Sequence, residues 1–325
     1  MKAPLLHSKK PMPLPASTHL QPDTPPAPHP DACFDADWLA LRRVADRAAR
    51  APALESLAAE WLCQRQLNGA PGQPLRMVDL GSGSGANPCH LAPRLPGPQH
   101  WLLIDHDAKL LATALDACTA LHDRAGGAAS VRAHRADLGE LDARMLAGAD
   151  LVCASALLDL VEATWLDRLA EACASAGSAL LVTLSVDGSW RFVPEAATTA
   201  DPSPIAASDD DFVRAAFNDH QRRDKGLGPA LGPDAAPALA ARLEAGGFRV
   251  HLAPSPWRLT LAEPAQAALA RALIDGRRDA ACAQRPDSRT RIEAWHARRR
   301  ADCDQGGGTL EVDHIDLFAT PARAS

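Results

Sequence analysis

Tyrosine is absent from this 325-residue chain, and all aromatic residues together make up 4% of it, too few to suggest an aromatic platform for stacking bases. With the abundance of alanine and arginine, the missing tyrosine reads as compositional drift that carries no functional information. Positive charge is not in excess either. Lysine and arginine number 34 against 40 acidic residues, a net charge of -6, which argues against a chain-wide grip on nucleic acid or anionic lipid. No apolar run approaches the roughly 18 residues of a spanning helix. The N-terminal MKAPLLHSKKPMPLP lacks a continuous apolar core, so no signal peptide is expected. The eight cysteines (Cys33, Cys63, Cys89, Cys118, Cys153, Cys173, Cys282 and Cys303) include no C-x-x-C pair. Free thiols in a reducing cytoplasm are therefore expected, with no metal site.

What is present is organised in blocks. Residues 1–30 hold nine prolines and few large apolar side chains, the composition of a disordered tail with polyproline II character. Residues 31–70 read as a helical cap, with Trp38, Leu41, Val44 and Ala48 recurring at helical steps and Leu54, Leu57 and Trp61 continuing the pattern. From residue 71 short apolar runs alternate with helical segments. Strands are expected at 75–80, 100–105, 150–155 and 179–184, with helices at 86–94, 107–121 and 162–175 between them. That pattern predicts a doubly wound, mostly parallel α/β sheet covered on both faces. The segment 188–230 reads as an irregular lid and 261–308 as a helical insertion. A strand over 310–318 closes the chain antiparallel to its neighbour.

The most informative stretch is Met77-Val78-Asp79-Leu80-Gly81-Ser82-Gly83-Ser84-Gly85-Ala86. A strand ends, and three glycines allow a turn with positive φ and close approach of a ligand to the backbone. The string also fits G-x-G-x-x-G/A, so the glycines alone admit a dinucleotide. Asp79 discriminates. A carboxylate there repels a pyrophosphate and suits an α-amino group, which points to S-adenosylmethionine. A second strand ends in Asp105, suited to ribose hydroxyls. Asp137 follows the next strand, where its side chain can take the adenine amino hydrogens while the Leu138 N–H meets a ring nitrogen. All three carboxylates fall at the carboxyl edge of the sheet, where open α/β sheets bind ligands.

On these residues the chain resembles the class I S-adenosylmethionine-dependent methyltransferases from about Arg76 to Leu184. The resemblance implies a Rossmann-like sheet of seven strands. It also implies that Gly81, Gly83 and Gly85 form the cofactor turn, with Asp79 near the methionine end, Asp105 on the ribose and Asp137 on the adenine. Arg42, Arg43 or Arg50 of the cap could pair with the cofactor carboxylate.

In that family the acceptor lies near the end of the fourth strand. Here the region reads Cys153-Ala154-Ser155-Ala156-Leu157-Leu158-Asp159, without the Asn-Pro-Pro-aromatic pattern of enzymes that methylate bases or glutamine. Ser155 and Asp159 are expected within reach of an acceptor, although Asp159 could equally cap the following helix. The polar run Phe217–Pro229 is expected over the same edge. There His220 is the candidate base, with Asn218, Arg222, Arg223 and Lys225 candidate contacts for a polar, possibly anionic, substrate. Arg298, Arg299 and Arg300 read as a solvated helix end. The expected activity is methyl transfer to oxygen or nitrogen of a small polar metabolite. The alternatives are a protein or nucleic-acid methyltransferase, a nicotinamide dehydrogenase, and a cofactor-binding relative without chemistry.

Overall fold

The computed structural model describes residues 36–194, 204–224 and 228–322. The Pro-rich stretch 1–30 and Lys225 lie outside them. Strands β1 (Leu75–Leu80), β2 (Gln99–Asp105), β3 (Ser130–Arg135), β4 (Leu151–Ser155), β5 (Ala179–Val193), β6 (Phe248–Pro254), β7 (Trp257–Thr260) and β8 (Thr309–Pro321) join one sheet. Its order is β3-β2-β1-β4-β5-β8-β6, with β7 paired to β8. Pairs among β1 to β5 are parallel, and β8 runs antiparallel to β5, β6 and β7. This is a doubly wound, Rossmann-like α/β sheet, with eight strands where seven were expected. The extra strand, β7, is four residues long, too short for its own sequence signal. It pairs with Thr309–Val312, the part of β8 that β6 leaves uncovered.

Two-residue periodicity sorts β1 between two cores. Leu75 and Met77 pack with α2 (Pro52–Asn68) and α4 (Ala108–Ala117). Val78 and Leu80 face the opposite side, under α5 (Ala163–Ala176) and α7 (Ala235–Ala245). Asp79 therefore shares the face of Met77, towards α2 and the short α3 (Ala86–Leu91). Asp107 caps α4, its Oδ1 accepting from Lys109 N at 2.7 Å and Leu110 N at 3.3 Å.

A third core lies beyond the carboxyl edge. β5 continues for 15 residues, with register shifts against β8 after Val182 and Val186. The far halves of β5 and β8, with β7, pack on α6 (Pro204–Gln221), α8 (Pro264–Gln284) and α9 (Arg289–Gln305), and α1 (Ala36–Ala49) contributes Trp38 and Leu41. The segment 188–230, expected to be irregular, thus holds the end of β5 and the whole of α6. Its run Asp209-Asp210-Asp211 reads as loop only in isolation. Asp209 Oδ1 accepts from Arg291 Nε at 2.6 Å, and Asp209 also pairs with Arg298. Asp210 Oδ1 accepts from Trp295 Nε1 at 2.7 Å and from Arg299 Nε at 3.0 Å. Arg300 pairs with Asp275 at 2.9 Å. Arg298 and Arg299 therefore anchor α6 to α9 and are not a free helix end. Among the described residues no helix is long and apolar enough to cross a membrane.

Candidate active site

The turn after β1 takes positive φ at each of its three glycines, 64° at Gly81, 51° at Gly83 and 81° at Gly85. The tightest is Gly85, where a Cβ would lie 3.1 Å from Ala114 Cα, so the turn can close on α4 only without a side chain there. Gly83 N donates to Asp105 Oδ2 at 2.8 Å, which stitches the turn to the end of β2. The cap covers it from outside, with Leu39 Cδ1 3.5 Å from where a Gly83 Cβ would stand.

Beneath the turn runs a chain of buried polar groups. Asp79 is 1% exposed, and its Oδ1 accepts from Asn87 Nδ2 at 2.5 Å. Asn87 Oδ1 accepts in turn from Arg50 Nη1 at 2.6 Å, and Arg50 Nη2 donates to Ser155 Oγ at 3.2 Å. Two atoms are left over. Asp79 Oδ2 and Arg50 Nε are buried without a hydrogen-bond partner among the described residues. Burial raises the Asp79 carboxyl to about 7, against the opposing pull of Asn87 and Arg50. Burial likewise lowers Arg50, opposed most by Asp316.

Asp105 is buried, and its Oδ1 accepts from Asp107 N at 3.0 Å. Asp137 is exposed just past β3 and caps a single 3₁₀ turn, accepting from Gly139 N at 2.8 Å. Leu138 is buried, and its Cδ1 stands 3.7 Å from a Cβ built on Gly81. The turn, Asp105 and Leu138 thus line one edge of the sheet.

A cavity of about 380 Å³ opens beside the ends of β4 and β5. Ala156, Asp159 and Leu184 form its sheet side, and Trp190 of the outer core lines it together with Phe217, Arg277 and His314. Ala156 and Leu184 take φ of 51° and 58°, uncommon for residues with a Cβ. The second is held by Asp316, which accepts from Leu184 N at 2.7 Å, Ser255 Oγ at 2.6 Å and Ala51 N at 2.9 Å. One buried carboxylate therefore ties the bent β5 to the α1–α2 junction. Asp316→Asn turns one acceptor oxygen into a donor against these N–H groups. The expected loss is about 1–3 kcal/mol of unfolding free energy, read by urea titration.

Of the residues expected near an acceptor, Asp159 and Asn218 line this cavity, and Ser155 sits below it on Arg50. His220 does not line it. On α6 the cavity face is Phe217, Asn218 and Gln221, and position 220 falls off that stripe. Arg222 pairs with Asp234 at 2.8 Å, and Arg223 Nη2 donates to Ala283 O at 3.1 Å, so neither turns to the cavity. Of the cap arginines, Arg50 is buried at the turn, Arg42 lines the cavity and Arg43 is exposed.

Sequence reasoning missed Asn87, Arg277 and His314. His314 Nδ1 donates to Val312 O at 2.9 Å, which leaves the lone pair on Nε2. Its ring lies 4.9 Å from that of Trp257, and burial, with Arg42 adding to it, pushes its pKa down to about 3, so the imidazole stays neutral. The signal for Arg277 was present, an arginine on the apolar stripe Ala270, Ile274 and Ala281 of α8. For His314 there was none beyond strand alternation.

No protein-family model and no curated protein sequence matches the chain. Among solved structures it is similar to a methyltransferase from Thiobacillus denitrificans, described as S-adenosylmethionine-dependent and in complex with S-adenosyl-L-homocysteine. That match has 16% identity over 89% of this chain and 99% of the other, with a TM-score of 0.39. The S-adenosylmethionine-dependent methyltransferase SibL, in its apo form, matches at 19% identity over 59% of this chain, with a TM-score of 0.35; the match spans only half of the SibL chain, 50%. The [4+2]-cyclase SpnF matches at 17% identity over 83% and 81% of the two chains, with a TM-score of 0.36. The sheet and its edge define the class by themselves. This is a doubly wound α/β protein with a glycine turn, a buried Asp–Asn–Arg chain and an adjoining cavity at the carboxyl ends of its parallel strands.

Proposed function

We propose that the protein is a methyltransferase that uses S-adenosylmethionine to methylate oxygen or nitrogen of a small polar metabolite. One observation carries the reading. Asp79 Oδ2 and Arg50 Nε are opposite in charge, buried beside the glycine turn, and unsatisfied. An amino-acid head group supplies both complements, an ammonium for the first and a carboxylate for the second. A nicotinamide dinucleotide has no such cation and would set a pyrophosphate against Asp79.

Gly81, Gly83 and Gly85 let the ligand reach the backbone, Asp105 has lone pairs left for ribose hydroxyls, and Asp137 with the Leu138 N–H suits the adenine. When bound, S-adenosylmethionine supplies an electrophilic methyl group. The chain's part is alignment and exclusion of water. The cavity walls do the second, and Asn218 and Asp159 offer polar contacts for orientation. Asp159 is the group suited to take a hydroxyl proton. His314, held neutral, can only accept a hydrogen bond at Nε2.

The test is transfer of label from S-adenosyl-[methyl-³H]methionine into a cell extract fractionated by size. Label is expected in the small-molecule fraction. Label confined to protein or nucleic acid would sink the metabolite reading, and no transfer with intact cofactor binding would leave a non-catalytic binder.

A further inference from the structure

We infer that Arg277 is an anion-binding residue of the acceptor cavity, made to hold the carboxylate of a small acid with a flat apolar body. Calling that acid the acceptor rests on the methyltransferase reading; the site itself does not.

Arg277 is 3% exposed and lines the cavity from α8. Its guanidinium lies 4.6 Å from the ring centre of Trp190 and 5.9 Å from that of Phe217. Ring faces attract the cation but do not accept its in-plane N–H bonds. Among the described residues Arg277 makes no salt bridge, and its Nε and Nη1 are buried without an acceptor. The carboxylate that acts on it, Asp210, is already bound by Arg299 and Trp295. Burial pushes the guanidinium down to about 9, which still leaves it protonated at neutral pH. A buried cation with no counter-ion is destabilising, and an arriving anion removes that cost.

The charges around the cavity favour a monoanion over a dianion. Arg42, the other guanidinium at the cavity, is paired with Asp46 at 2.8 Å. Asp313 is paired with Arg191 at 3.0 Å, and Asp159 also faces the space. A phosphate dianion would set two negative charges against Asp159 where a carboxylate sets one, and the single guanidinium of Arg277 is matched better by the smaller charge. Trp38, Trp190, Phe217 and Trp257 give apolar walls suited to a ring. Asn218 Oδ1 and the indole N–H groups of Trp190 and Trp257 are also buried without partners, and can serve polar groups at the edge of such a ring.

The probes are benzoate, 4-hydroxybenzoate and indole-3-carboxylate, each beside its neutral amide, titrated calorimetrically into the full chain with and without saturating S-adenosylhomocysteine. The acids should bind at least ~10-fold more tightly than the amides. Arg277→Met should erase that preference and leave S-adenosylhomocysteine affinity unchanged. Its unliganded Tm should equal or exceed that of the native chain, because a buried unpaired charge is gone. Arg277→Lys, which keeps the charge without the planar fork, should fold and retain part of the preference, and it decides the matter if the methionine variant does not fold. Equal binding of acid and amide, or no saturable binding of any acid in the millimolar range, overturns the proposal. So does a preference that survives Arg277→Met with a lowered Tm, which would mark a packing arginine. Acids that displace S-adenosylhomocysteine also overturn it, since the carboxylate bound would be the cofactor's. Acid selectivity without S-adenosylhomocysteine binding removes the methyltransferase reading and leaves the Arg277 site standing.

Discussion

Asp79→Asn weakens S-adenosylhomocysteine binding by about 30-fold or more, the cost of leaving a buried ligand charge without its partner. The variant keeps its fold. Asparagine still offers an acceptor to Asn87, and the desolvated carboxylate is gone, so at pH 8 its Tm should match or exceed the native value. The pH profile separates this role from a structural one. With its folded pKa raised from 3.8 to about 7, Asp79 holds its proton more tightly in the native state than in the unfolded chain. Its contribution to the stability of the unliganded protein is therefore full below pH 3.8 and is lost as pH rises through about 7. Binding an ammonium runs the other way, because it needs the ionised carboxylate. Native affinity should fall by about tenfold per pH unit below the pKa and level off above it. Calorimetry from pH 5.5 to 8.5 on both chains checks this. A native profile that is flat, or a slope that persists in Asp79→Asn, removes Asp79 from the ligand.

Gly85→Ala carries the largest expected loss of stability. A left-handed backbone costs a residue with a Cβ roughly 1–2 kcal/mol. The new methyl would also stand 3.1 Å from Ala114 Cα and 3.2 Å from Ala114 O, which are helix backbone and cannot swing aside. Overpacking of that kind adds about 1–3 kcal/mol, for a total of about 2–5. Gly177→Ala is the control. Its φ of 61° is equally left-handed, but nothing lies within 4 Å of a Cβ there. Urea titration of both variants should show the second losing only the conformational part. The Gly85 variant should also lose S-adenosylhomocysteine affinity as the turn moves off α4. Equal losses in the two variants would mean that close packing of the turn contributes nothing.

Legibility in the sequence followed the range of the interactions. The runs that became β1, β2, β4 and the first part of β5 read clearly, because a strand buried on both faces must be apolar along its length. The edge residues Asp79, Asp105 and Asp137 followed from the strand ends. α6 did not read as a helix, since its acidic run is neutralised by arginines of α9 more than 80 positions away in the chain. The same ion pairs were unreadable from the Arg298–Arg300 side. β7 exists only because β8 outruns β6.

By itself the sequence determined a parallel α/β sheet, a glycine turn with a carboxylate beside it, and the ligand chemistry that this pairing favours, since strand alternation and the φ demands of glycine are local. The tertiary structure alone decided which polar groups are completed and which are left open. Arg50 reaches Asn87 from the cap, and Arg277 and His314 line one cavity with Asp159 and Asn218 although they come from strands and helices distant in sequence. Whether a charge is satisfied depends on burial and on partners the chain brings from afar, and no local pattern records either.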